Sequence, residues 1–219
     1  MEKNELQKSS SQLPAAEQPQ KVGIHMEQSG EGEQIGYVEH YEANNTIQVV
    51  VPGSHTGRRG MGQQVITMNT DCNNLFVVEG EMYENTTGTF TIDTSLALTE
   101  SIDDDLKAKY ARLDEGARIA VRAFLAIFAS KNHHYGYTDK DHNAAYGVIT
   151  DIERDGHQLV ISYFILCDVP QQILNEMAKE LDLKQAAEYN ELNDPHWTIK
   201  RANLIAQLKS KGIHVATIS

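Results

Sequence analysis

The chain has 219 residues, 40% of them hydrophobic, enough for one domain with a real core or for two small ones. Its 31 acidic against 19 basic residues give a formal net charge of -12, which repels phosphate backbones and disfavours bulk nucleic-acid binding. The most apolar stretch, IAVRAFLAIFA, carries Arg122 and is too short to span a bilayer, so no membrane association is expected.

Residues 1–33 are rich in Gln, Glu, Ser and Pro and cannot bury enough apolar surface to offset their ordering entropy, so a disordered polar tail is expected there. MEKNELQKSS has no apolar run of the signal-peptide kind. Cys72 and Cys167 fit no metal-ligand spacing and read as small hydrophobes in a reducing compartment, so the expected location is cytoplasmic.

From 34 to 100 the pattern is β. QIGYVEHY, NTIQVVVP, QQVITM, NLFVVEGEMY and GTFTIDTSLAL are rich in β-branched and aromatic residues and are separated by Asn, Gly and Asp. They suggest a small antiparallel β domain, a barrel or a sandwich.

Residues 101–219 are expected to form an α+β domain with three to four helices and a long β-hairpin. Asp103, Asp104 and Asp105 favour a helix start. A second helix begins near Asp114, and helical spacing carries it through Phe124 and Phe128 as a helix buried nearly all round. AAYGVITDIE and HQLVISYFIL read as two strands with a turn at Asp155-Gly156. CDVPQQILNEMAKELDL reads as a helix capped by Asp168. RANLIAQLKSKG is a last helix ending at Gly212, and IHVATIS a closing strand.

Three stretches could carry chemistry. KNHHYGYTDKDHN, at 131–143, gathers imidazoles and carboxylates, the natural ligands of zinc, manganese or iron; His133, Asp139, Asp141 and His142 are the candidate metal ligands. As a recognition loop, the same stretch would offer Tyr135 and Tyr137 as contact area. VPGSHTGRRGMGQQ, with Arg58 and Arg59, could cradle an anion, though no helix start follows it. HWTIK places His196 and Thr198 on one face of a strand, and Lys200 ends the stretch as a further binding candidate. His196-x-Thr198 followed by Ile199 resembles half the signature of 2H phosphoesterases, which imply two such units, each His in acid–base work and each Thr on phosphate. The other candidate histidines stand in HQLV, HTGR and HVAT, so only half of the pair is present.

No complete catalytic set is visible, and nothing in the sequence names a cofactor. The expectation is therefore a non-enzymatic binding or interaction module, in composition akin to an accessory protein of a phage or mobile element. Its partner would be macromolecular, protein rather than nucleic acid. The alternative is a metal- or histidine-dependent hydrolase acting on phosphodiesters.

Overall fold

The computed structural model describes residues 38–41, 46–52, 63–80, 83, 85–186, 189–213 and 217–218. In chain order these form β1 (Val38–Tyr41), β2 (Thr46–Pro52), β3 (Gln63–Val78), β4 (Thr87–Asp93), α1 (Asp104–Tyr110), α2 (Glu115–Arg122), β5 (Phe124–Ser130), β6 (Asn143–Asp155) and β7 (Gln158–Pro170). They continue through α3 (Gln171–Glu176), β8 (Gln185–Ala186), β9 (Tyr189–Asn190), β10 (His196–Lys200), α4 (Leu204–Ser210) and β11 (Thr217–Ile218). The chain is mixed α+β and mostly sheet. The expected disordered tail and the loop with Arg58 and Arg59 lie outside the described residues.

One mixed sheet runs in the order β11-β1-β2-β3-β5-β6-β7-β4, with β10 also on β3; β8 and β9 pair separately. The path is open, and no sheet among the described residues is closed. Strands from before and after residue 100 share this sheet. β3 takes β5 in parallel and β10 antiparallel, and β4 lies antiparallel on β7.

β3 unites the two stretches QQVITM and NLFVV, separated in the sequence reading. It changes partner midway. Its first half pairs with β2, its register shifts between Asn69 and Asn73, and its second half pairs with β10 from Asn73 to Val77. The Asn69 side chain caps this irregularity by accepting from the Asp71 amide at 2.7 Å.

Two expectations are corrected here. The second helix stops at Arg122, and Phe124–Ser130 is a strand. All seven β5 residues are buried, so no polar face marks the period. Leu125, Ile127 and Ala129 pack into one core, and Phe124, Ala126 and Phe128 into the other. A strand buried on both faces carries the same apolar run as a buried helix. Likewise, Asp168 caps no helix: β7 runs on to Pro170, whose fixed φ opens the shorter α3.

The sheet separates two cores. On one side, Leu174 of α3 and Leu204, Ile205 and Leu208 of α4 cover Leu75, Leu125, Ile127 and Val148. On the other, Leu106 and Tyr110 of α1 and Ala117 and Val121 of α2 join an aromatic cluster. There Phe76 stacks on Phe128 and on Trp197, at 5.4 and 5.0 Å between ring centroids. Trp197 also donates to Asn74 Oδ1 at 3.1 Å, and Asn74 donates to the Val121 carbonyl at 2.8 Å, so Asn74 satisfies both the buried indole and a carbonyl at the end of α2. Between β6 and β7, Asp155 faces Gln158 and Gly156 has φ 60°.

Candidate functional site

The loop at 131–143 leaves the end of β5 and returns as β6. Its tip is a tight turn: His134 and Tyr137 exchange backbone hydrogen bonds at 2.9 and 3.2 Å, and Gly136 takes φ 60° between them. The His134 and Tyr137 rings stack, with centroids 5.9 Å apart. Tyr135 and Tyr137 are 50% and 45% exposed, the only large hydrophobics besides Val65, Leu96 and Ile119 to be so open among the described residues. The Tyr135 hydroxyl donates to the Ala186 carbonyl of β8 at 2.9 Å, which fixes the ring's position.

Beneath the tip lies a group of side-chain amides. Asn132, 5% exposed, donates to Asn175 of α3 at 3.0 Å and to Asn193 at 3.3 Å, and its oxygen accepts from Gln171 at 2.9 Å and Asn175 at 3.2 Å. Asn193 accepts from the Gly136 amide at 2.8 Å and donates to the His134 carbonyl at 3.0 Å. Gln172 accepts from the Thr138 amide at 3.1 Å, and Gln171 donates to the Ser130 carbonyl at 2.7 Å. Asn132, Gln171 and Asn175 are buried and Gln172 and Asn193 half-buried; Gln171 Oε1 has no partner among the described residues, and the remaining bonds of the group hold the loop in one conformation.

The imidazoles of the loop form a smaller cluster. His133 Nδ1 lies 2.8 Å from Asp139 Oδ2, and the His133 and His142 rings are 4.2 Å apart. Burial, and then the neighbouring His133, lower the pKa of His142 against opposing pulls from Asp139 and the Ser130 backbone. Asp141 is exposed. Among the described residues no group of three or more His, Cys, Asp or Glu side chains is arranged to hold a metal ion.

His196, Thr198 and Lys200 share one face of β10, as strand alternation requires, but that face is inside. They are 5%, 0% and 1% exposed. His196 and Lys200 share the partner Glu191, fully buried in the 3-10 turn Glu191–Asn193. Glu191 Oε1 lies 3.0 Å from His196 Nε2 and 2.8 Å from Lys200 Nζ, and Oε2 accepts from the Lys184 amide at 2.7 Å. Burial alone would raise the Glu191 carboxyl. The His196 hydrogen bond and the Lys200 charge outweigh it and hold the carboxyl below the ordinary carboxylate range. Thr198 Oγ1 and Lys200 Nζ both donate to the Ser101 carbonyl, at 2.9 and 2.8 Å. Ser101 and Leu98 have φ of 54° and 55°, strained for non-glycine residues, and these bonds together with Leu98 N to the Trp197 carbonyl at 2.8 Å hold that segment in place.

The sequence reading singled out the two tyrosines and the shared face of His196 and Thr198. It missed Glu191 and the amides. The available signal was YNELNDPHWTIK, where Glu191 precedes His196 and is flanked by Asn190 and Asn193. That turn joins the loop and β10: Asn193 holds the loop and Glu191 holds His196.

Cys72 and Cys167 are free thiols. Burial pushes the Cys167 thiol up to about 11 and raises Cys72 as well, which is the opposite of an activated nucleophile. No helix of the described residues is long and apolar enough to cross a membrane. No family model matches the chain, and neither the curated proteins nor the solved structures yield a match.

Proposed function

We propose that the chain is a non-enzymatic interaction module whose recognition surface is the tip of the 131–143 loop. The observation that carries this reading is the exposure of Tyr135 and Tyr137 on a turn held by the half-buried Asn193 side chain. Tyrosine gives large amphipathic contact area with little side-chain entropy to lose, and a loop already ordered adds little further cost on binding. A protein partner fits better than nucleic acid. The net charge is -12, and Lys131 and Lys140 on the loop are balanced by Asp139 and Asp141. Tyrosine beside His and Asp suits a polar protein surface.

The second reading, a hydrolase of phosphodiesters, rests on His196 beside Glu191 and on the imidazoles of the loop. Catalysis needs a ring nitrogen within reach of substrate. Both nitrogens of His196 are engaged inside the fold, and Thr198 and Lys200 bond to Ser101. These contacts favour a structural role for HWTIK.

The test is affinity capture with the full chain and with Tyr135→Ser/Tyr137→Ser, compared at equal melting temperature. The proposal expects a bound species that the wild type enriches and the double variant loses by about tenfold or more, as for hot-spot tyrosines. Identical capture by both chains overturns it.

A further inference from the structure

β4 is the last strand at one end of the sheet, and among the described residues no strand pairs with its outer edge. The ladder shows which backbone groups face that edge. β4 and β7 pair without a register shift, from Thr87 opposite Phe164 to Asp93 opposite Gln158. Just beyond the two ends, the Thr86 carbonyl accepts from the Ile165 amide at 2.7 Å and the Thr94 amide donates to the His157 carbonyl at 2.9 Å. Antiparallel pairs alternate between bonded and unbonded. Gly88, Phe90 and Ile92 therefore bond to β7, and the N–H and C=O groups of Thr87, Thr89, Thr91 and Asp93 point outward.

Such an edge is a template for another strand, and proteins blunt it with Lys, Pro, a bulge or a very short strand. TGTFTID has neither Lys nor Pro, and its register with β7 is unbroken over seven residues. Phe90 and Ile92 are buried in the aromatic core, while Thr89, Thr91 and Asp93 are exposed on the opposite face. That face continues across the sheet. Thr91 lies opposite Val160, which lies opposite Glu153 of β6; Asp93 lies opposite Gln158, which lies opposite Asp155. In the third such row, Thr89, Ser162 and Asp151, the carboxylate has a partner in Arg122 at 3.6 Å. Asp93, Glu153 and Asp155 form no ion pair among the described residues, so the face beside the open edge is acidic.

We propose that the outer edge of β4 takes up an extended segment of a partner protein as an added strand, with Lys or Arg at the alternate positions that fall on the acidic face. This is a second interaction surface, and it does not rest on the loop tip. The outward backbone groups of Thr87, Thr89 and Thr91 supply main-chain bonds whatever the sequence of the segment, and the carboxylates select its side chains. An added strand lies about 4.8 Å from β4, so a basic side chain there sits beside Asp93 and extends over Thr91 towards Glu153. A second copy of the chain fits the edge less well. TGTFTID brings no base to these carboxylates, and each copy carries a net charge of -12. A pair of such short strands also falls below the about 1,200–2,000 Å² that a stable interface buries.

The experiment is amide hydrogen exchange of the full-length chain, followed by nuclear magnetic resonance, with a synthetic peptide of alternating Lys and Val as the probe. The expected result is that the peptide protects the amides of Thr89 and Thr91, while those of Gly88, Phe90 and Ile92 are protected with or without it. The same peptide with Glu in place of Lys, or with Pro in place of Val, is expected to protect neither. Thr91→Pro removes an outward N–H at a position where an edge strand tolerates Pro, and it should abolish the effect. Thr91→Lys keeps the strand, sets a like charge beside the peptide and should weaken its binding by about tenfold or more. Thr89 and Thr91 amides that the Lys–Val peptide leaves unprotected overturn the proposal. So does equal protection by the Glu peptide, or protection that survives both substitutions. A doubled mass in sedimentation, with the same amides protected in the absence of peptide, assigns the edge to a second copy and likewise overturns it.

Discussion

The side chain of Asn193 accepts from the Gly136 amide at 2.8 Å, tying a turn ahead of β10 to the tip of a loop more than fifty residues earlier. Asn193→Ala removes this bond together with those to His134 and Asn132. The expected cost is about 0.5–1.5 kcal/mol, the net worth of hydrogen bonds between groups that water can partly reach. Amide exchange should show the loss concentrated at residues 132–138, with β5 and β6 still protected.

Thr138 makes the opposite case. It is fully buried, and its hydroxyl finds no hydrogen bond among the described residues, while its amide is held by Gln172. Thr138→Val keeps the shape and removes the unpaired group, so stability should be unchanged or should rise by up to about 1 kcal/mol. A loss beyond about 1 kcal/mol in chemical denaturation would mean that the hydroxyl is bonded.

Glu191 gives the fold an acid limit. Its folded pKa lies below the ordinary carboxylate value, so the unfolded chain binds the proton more readily. The stabilisation is complete above the ordinary carboxylate range and is lost as pH falls through the folded value. Denaturation curves from neutral pH downward should therefore steepen in wild type and flatten in Glu191→Gln. Glu191→Ala leaves Lys200 and His196 unpaired inside the fold and should cost about 3–5 kcal/mol.

Gly147 sits where a side chain has no space. A Cβ there would run into the Phe164 carbonyl oxygen across β6 and β7, at a register shift in their pairing. Gly147→Ala should cost at least about 1–3 kcal/mol by overpacking, read as a drop in melting temperature. An unchanged melting temperature would contradict the pairing.

The thiols supply a chemical check. Cys72 is buried and Cys167 partly so, and burial holds both thiols above their ordinary pKa. Alkylation at mildly alkaline pH should be slow for both in the native chain and fast in denaturant. Fast native labelling of Cys167 would contradict its placement.

What the sequence made legible follows the burial of each face. β2 and β4 alternate inward and outward, so Ile47, Val49, Phe90 and Ile92 announce themselves. β5 does not, because both of its faces are covered and the apolar run has no period. Tyr135 and Tyr137 could be read as exposed because Gly, Asp and Lys surround them. The amides beneath them could not. Asn132 comes from the loop, Gln171 and Asn175 from α3 and Asn193 from the turn before β10, and nothing local distinguishes a buried amide from one in solvent. For HWTIK, strand alternation gave the shared face of His196 and Thr198, but which side that face takes is decided by Glu191 and by the segment around Ser101.

The most direct test of the account is backbone nitrogen relaxation across 131–143 in the full chain, in wild type and in Asn193→Ala. A pinned recognition loop should show order parameters near the rigid value of about 0.85 at His134, Gly136 and Tyr137, falling below about 0.6 in the variant. Values below about 0.6 in the wild type itself would contradict a surface organised in advance by the Glu191–Asn193 turn.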